Sequence, residues 1–346
     1  MKFSNFLFPE SKTPAGDYDV IEESLREAEL SEKLGYDAIW LAEHHFDGGC
    51  AYVDPTTFAA AIAARTTKIK IGFAVAQMAL HHPIRFAEQI ALVDNISKGR
   101  MVVGVGRGTA YNFYEFRGFG IDPNDAHDML LEVEDILVKS WTTDNYKHDG
   151  KYWQLELPVL RPQVFQKPHP PMIRACSGLA SPLEMAREGR PFMMNVQSDQ
   201  TTIERLKRYE TTMSEAGHSD ETVAQNMSDS WVWRNIFVAE TDAEAEKICV
   251  PYFREMRAYL QTNRDRMNTT KELKAQATGN VGAARNSLEH GVVFGSPDTV
   301  SDRIQQAYDS GVGGVIIHFR LGAMPHDVSA NSMKLFAEKV APNFKD

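Results

Sequence analysis

The sequence predicts an eight-stranded parallel (β/α) TIM barrel, built as one domain from residues 1–346. Three observations lead there. Eight short, nearly all-apolar segments alternate with helical ones, the pattern of parallel strands buried on both faces. No linker divides the chain. A length of 346 residues with 43% apolar composition suits one closed barrel carrying insertions. An open doubly wound sheet is the alternative, and the count of eight favours closure.

Phe3 to Phe8 reads as the first strand, followed by a helix from Tyr18 to Leu34 with Ile21, Leu25 and Ala28 on one face and Gly35 as its stop. Ala38 to Leu41 is the second strand, Pro55 to Arg65 an alanine-rich helix, and Ile69 to Val75 a third strand. Pro83 starts a helix reaching about Ile96, because proline suits the first helical position. Met101 to Val105 and Met172 to Ala175 are strands four and five. Ser181-Pro182-Leu183-Glu184 reads as a capping box at a helix start. Phe192 to Val196 and Trp231 to Val238 are strands six and seven. Ser296-Pro297-Asp298 repeats the cap-then-proline signal before a helix ending at Gly311. Gly314 to His318 is strand eight, and a helix from Val328 to Val340 closes the pattern.

Two insertions interrupt this rhythm. Residues 108–171, after strand four, hold a helix from about Ala126 to Trp141 and a turn with hairpin character at Asp149-Gly150. After strand seven, a helix from about Ala243 to Leu260 leads into residues 261–290, a polar stretch with the composition of a mobile lid. Arg264, Arg266, Lys271, Lys274 and Arg285 would then be open to trypsin.

Charge and cysteine usage narrow the function. A net charge of −10 without any basic run argues against nucleic-acid or anionic-membrane partners. No apolar run reaches the ~18 residues of a membrane span. Cys50, Cys176 and Cys249 are sparse, odd in number and lack CxxC spacing, which fits a reduced cytoplasmic protein. Met1 to Pro9 lacks the apolar region and cleavage site of a signal peptide.

The working face of such a barrel is the carboxyl end of its strands. Read in order, those ends present Glu43, His44 and His45; Gln77 to His82; Arg107; Cys176 and Ser177; Asn195; and His318 with Arg320. Adjacent strand residues point to opposite sides, so only one of His44 and His45 can face the pocket. Metal ligation is not favoured, since neither H-E-x-x-H nor a His-x-His strand pair occurs. Gly104-Val105-Gly106-Arg107-Gly108 follows a strand, but Thr109 replaces the third glycine of a dinucleotide fingerprint and an aromatic segment follows. It reads instead as a ligand loop, with Arg107 able to pair with a phosphate. Ser177 and its neighbours open a helix whose amide groups favour an anion. Cys176 has no basic neighbour in sequence to activate it.

Ala42-Glu43-His44-His45-Phe46, His82-Pro83-Ile84-Arg85, Ser97-Lys98-Gly99-Arg100 and Gly104-Val105-Gly106-Arg107-Gly108 follow one another as in bacterial luciferase and its relatives, and the chain resembles that family of flavin-dependent monooxygenases. The likeness is densest from Leu34 to Gly120, continues from Pro171 to Val196, and thins beyond. It implies a barrel that takes reduced FMN from a separate reductase and uses O2, through a flavin hydroperoxide, to oxygenate a small organic substrate. It also implies a homodimer. Carried over by position, His44 is the catalytic histidine, with Glu43 and His45 beside it. Arg107 holds the flavin phosphate with help from Cys176 and Ser177, and a non-prolyl cis peptide falls at Ala74-Val75. Tyr111 and Asn195 join the same cofactor set. Light-emitting members carry a cysteine where this chain has Gly106, and their loop is one residue shorter, which argues against light emission. A deazaflavin-dependent oxidoreductase, a non-catalytic partner subunit and a metal-dependent hydrolase are the competing readings.

Overall fold

The computed structural model describes residues 1–109, 111–277 and 283–344. The first half runs β1 (Lys2–Leu7), α1 (Asp17–Lys33), β2 (Ala38–Leu41), α2 (Pro55–Arg65), β3 (Lys70–Phe73), the two-residue β4 (Ala76–Gln77), α3 (Pro83–Ser97) and β5 (Met101–Gly106). Then come α4 (Phe113–Gly118), α5 (Ala126–Thr142), the hairpin β6 (Tyr146–Asp149) and β7 (Gln154–Leu157), β8 (Met172–Cys176), α6 (Ser181–Glu188) and β9 (Phe192–Met194). The rest is α7 (Asp199–Glu215), α8 (Asp220–Asp229), β10 (Trp231–Val238), α9 (Asp242–Met267), α10 (Thr270–Ala277), α11 (Ala283–Asn286), α12 (Leu288–Gly291), β11 (Val293–Gly295), α13 (Pro297–Asp309), β12 (Gly314–His318) and α14 (His326–Leu335).

Eight parallel strands pair in the order β1-β2-β3-β5-β8-β9-β10-β12, and β12 pairs with β1 to close the barrel. The fold is therefore a TIM barrel rather than an open sheet. Leu7, Leu41 and Phe73 stand level in register, so Phe8, Ala42 and Ala74 leave the barrel together at one rim.

The opposite end is plugged. Trp40 and Trp231 meet edge to face at 5.4 Å, and the Trp40 indole N–H donates to Ser4 Oγ at 2.9 Å. Two glycines make room for them. A Cβ at Gly72 would lie 2.5 Å from the Trp40 ring, and one at Gly314 would lie 2.3 Å from Trp231. Rings packed this tightly leave no passage, so the carboxyl-end rim is the open one.

Local chemistry explains where the helices begin. Asp54 accepts hydrogen bonds from the amides of Thr56 and Thr57 ahead of Pro55 in α2, and Ser296 caps Thr299 ahead of Pro297 in α13. Ser181 is different. It lies inside α6, Ala180 stands at the cap, and no side chain satisfies that helix start. Strand three stops at Phe73, ahead of a cis peptide between Ala74 and Val75.

Residues 261–290 differ most from the expectation of an irregular polar loop. Helix α9 continues to Met267, and α10, α11 and α12 follow among the described residues. Arg264, expected to be an open tryptic site, is buried, because its guanidinium is held against Tyr111 and Asn112. Residues 278–282 of the same stretch lie outside the described residues. No helix among the described residues is long and apolar enough to cross a membrane.

Candidate active site

Glu43, His44 and His45 leave the end of β2 with their side chains divided between two carboxylates. His44 Nδ1 lies 2.9 Å from Glu115 Oε1 and 3.3 Å from the Asn112 amide nitrogen. Glu115 comes from α4, is fully buried, and also accepts from the His45 backbone N–H at 2.9 Å and from the Gln77 amide at 3.2 Å. A carboxylate acceptor puts the proton on Nδ1 and leaves Nε2 of His44 as the imidazole's second nitrogen. The Phe8 ring stands edge-on to the imidazole at 5.5 Å. Burial pulls the His44 pKa down, but the charge of Glu115 and its hydrogen bond outweigh this and raise it above the ordinary value.

Glu43 serves a second pair. Its Oε1 lies 3.1 Å from His45 Nε2 and 2.9 Å from His81 Nε2, and its Oε2 accepts from the Gln77 backbone N–H at 2.5 Å. Burial opposes ionisation, yet His81, His45 and the Gln77 amide together hold the carboxyl down at about 2. With both oxygens engaged, Glu43 ties β2 to the β4 segment and is not a free acid or base. His45 therefore turns away from His44, as strand alternation requires, and packs against Phe119 at 4.8 Å.

Across the rim the cofactor candidates divide. Arg107 follows β5, is exposed, and has no ion pair among the described residues. Gly106, just before it, faces Val75: a Cβ there would lie 2.5 Å from Val75 Cγ2. Ser177 is exposed beyond β8, and its carbonyl accepts from Arg205 of α7 at 3.1 Å. Cys176 differs from its neighbour. Its thiol is buried, lies 3.8 Å from the Arg174 carbonyl, and is pushed up to about 12 by burial. Only its backbone can serve a ligand. Asn195 follows β9 with its carbonyl oxygen held by Gln197 at 2.8 Å. Tyr111 belongs to another group, under the guanidinium of Arg264 at 4.4 Å and within 3.3 Å of Arg285. Arg320 is committed to Glu23 and the Met324 carbonyl.

Sequence reasoning did not find Glu115, Asn112, Arg205 or the arginines of α9. Glu115 lies 71 residues from His44 inside an aromatic run, where only its isolation as an acidic residue signals burial with a partner.

The luciferase-like monooxygenase family matches residues 1–314. The oxygenase component of a flavin-dependent trigonelline monooxygenase from Acinetobacter baylyi is 32% identical over 177 residues, covering 50% of this chain and 48% of that protein. The crystal structure of monooxygenase RslO1 from Streptomyces bottropensis superposes over 100% of both chains with a TM-score of 0.83 and 27% identity. The fold alone is shared with two others, each covering at least 99% of both chains. They are the oxygenating constituent of 3,6-diketocamphane monooxygenase from Pseudomonas putida, in complex with FMN (TM-score 0.80, 19% identity), and a coenzyme F420-dependent tetrahydromethanopterin reductase from Methanopyrus kandleri (0.71, 20%). With the family matched over nine-tenths of its length, this chain belongs to the luciferase-like monooxygenases.

Proposed function

We propose that the chain is an FMN-dependent monooxygenase that receives reduced FMN from a separate reductase and inserts one atom of O2 into a small organic substrate. The observation that carries this reading is the His44–Glu115 pair at the end of β2, with an exposed Arg107, without an ion pair among the described residues, two strands away after β5. The residues present fit a flavin. Arg107 and the exposed Ser177 loop offer charge and amide groups to a phosphate. Gln77 Oε1 is buried without a partner among the described residues, which leaves one acceptor for a ring N–H.

When bound, reduced FMN supplies the electrons that activate O2. The chain's own part is positional. His44 Nε2 gives or takes a proton at the reacting centre, and Glu115 holds its tautomer. Phe8 packs edge-on against the imidazole. Glu43 and His45 brace the strand end behind it. In this reading the chain works in the reduced cytoplasm, with its three cysteines free and buried, and as a homodimer, a state that light scattering measures.

Anaerobic titration with reduced FMN and, in parallel, with a reduced deazaflavin tests the assignment. FMN should bind more tightly, and Arg107→Ala should weaken it about ten- to a hundred-fold, the effect of one charge-assisted contact. Tighter binding of the deazaflavin would move the chain to the hydride-transfer branch. Equal FMN affinity in Arg107→Ala would remove Arg107 from the site.

A further inference from the structure

Over β10, β12 and β1, on the side of the rim away from Arg107, three arginines converge without a matching set of carboxylates. Arg257 and Arg264 come from α9 and Arg285 from α11. Arg285 lies over the Trp233 ring at 4.6 Å and within 3.3 Å of Tyr111 Oη, while Arg264 covers the Tyr111 ring. Trp233 packs on Phe6 at 5.1 Å and on His318 at 6.3 Å, and Phe6 and Phe8 reach His318 in turn. The group is an aromatic cluster with a cationic roof, called the chamber below, and the Phe8–His44 contact connects it to the catalytic histidine.

The chamber is unsatisfied. Arg257 Nε, Arg285 Nε, Trp233 Nε1 and His318 Nε2 are all buried and without hydrogen-bond partners among the described residues. His318 is 1% exposed, and its Nδ1–H donates to Asn235 Oδ1 at 3.1 Å, which leaves Nε2 as an acceptor and the other three atoms as donors. Buried polar atoms left open cost free energy unless something occupies them. Burial and then repulsion from Arg285 and Arg264 bring Arg257 down to about 9, and burial followed by repulsion from Arg285 and Arg257 holds His318 down at about 3. The nearby acid does not neutralise them: burial lifts Glu10 to about 8, so it is largely protonated at neutral pH.

Resting on the monooxygenase reading above, we propose that this chamber binds a carboxylate on the substrate, with Arg257 and Arg285 as its cationic partners and the Trp233 indole N–H as a neutral donor. An aromatic or other flat body would lie against Phe6, Phe8 and Trp233 and present its reactive end toward His44. The chain's substrate class is then small, apolar-bodied carboxylic acids. The flavin phosphate is assigned to the opposite side of the rim, so the two anions do not compete.

The probes are benzoate and its neutral isostere benzamide, titrated calorimetrically into the purified chain with and without FMN. Benzoate should bind and benzamide should not. Arg257→Gln and Arg285→Gln should each weaken benzoate about ten- to a hundred-fold, and Trp233→Phe less. FMN affinity should be unchanged in all three, while Arg107→Ala should lose FMN and keep benzoate. Circular dichroism melts confirm that each variant is folded, and Trp233→Phe, which removes the indole N–H and keeps an aromatic ring, serves if an arginine variant is not. Equal binding of benzamide and benzoate would overturn the proposal, as would loss of FMN rather than benzoate in the arginine variants. Competition by inorganic phosphate at the benzoate concentration would show a phosphate clamp and overturn it equally. A failure of Arg107→Ala to weaken FMN would strike the cofactor assignment alone.

Discussion

Glu115 on α4 holds Nδ1 of His44 on β2 at 2.9 Å, although one comes from the long β5–β8 connection and the other from a barrel strand. The pair couples the connection to the chemistry. Its consequence is a defined tautomer and an imidazole that stays protonated to higher pH than burial alone would allow.

Replacing Glu115 with Gln removes the charge and leaves burial to dominate. The His44 pKa should then fall, and the corresponding inflection in the pH profile of turnover should move to lower pH by about one to two units, the usual effect of one close charge. His44→Ala should lose about 10²–10⁴ of turnover at every pH. An inflection that stays in place in Glu115→Gln would show that His44 is not the titrating group.

Glu43 makes the acid side of stability measurable. Its folded pKa of about 2 lies below the ordinary 4.5, so its contribution is present above pH 4.5 and is lost as pH falls toward 2. Over this interval the linkage amounts to roughly 3 kcal/mol. Glu43→Gln should therefore melt well below the parent at pH 7, and the difference should close as pH drops from 4.5 to 2. A gap independent of pH would mean that the carboxylate's charge contributes nothing.

Glu10 acts in the opposite sense. Its folded pKa of about 8 is raised above 4.5, chiefly by burial, and neither oxygen has a partner among the described residues. Between those two pH values the folded chain keeps a proton that the unfolded chain has released, so stability falls as pH rises from 4.5 to 8. Glu10→Gln cannot ionise. The two proteins should melt alike near pH 4.5, and the variant should be the more stable above pH 8. A parent curve as flat as the variant's would remove the buried-acid explanation.

The barrel was legible because its signals are local. Ala38–Leu41, Pro55–Arg65, Trp231–Val238 and Gly314–His318 have the predicted bounds, since apolar runs, caps and glycine stops act within a few residues. Helices α7 and α8 were missed although Ser198 and Ser219 cap them, because both are polar over most of their surface and few residues mark the buried stripe. The stretch after α9 misled for a related reason. Composition suggested a loop, but Arg264 and Asn268 are polar residues buried by pairing with Asn112 and Tyr111, which pattern cannot show. His44 was singled out from its place at a strand end. Its true partner was not, since Glu43, adjacent in sequence, is engaged by His45 and His81, whereas Glu115 is near only in space.

Gly106 and Val75 offer the last test. A side chain at 106 and the one at 75 compete for the same space, for a Cβ at Gly106 would stand 2.5 Å from Val75 Cγ2. Valine is β-branched and cannot swing aside through χ1 without strain. Gly106→Ala should then destabilise the chain by about 1–3 kcal/mol, the range for overpacking a filled site. Shortening the opposing residue should relieve it. In Val75→Ala the same change at 106 should be close to neutral, giving a coupling of about 1 kcal/mol or more between the two positions. Thermal melts of the four proteins measure this, and a titration with FMN of each shows whether the same surface meets the flavin. Additive effects would mean that the strand ends move apart freely. Coupling would explain the glycine: Val75 fills, from the neighbouring strand end, the space that a side chain at 106 would need.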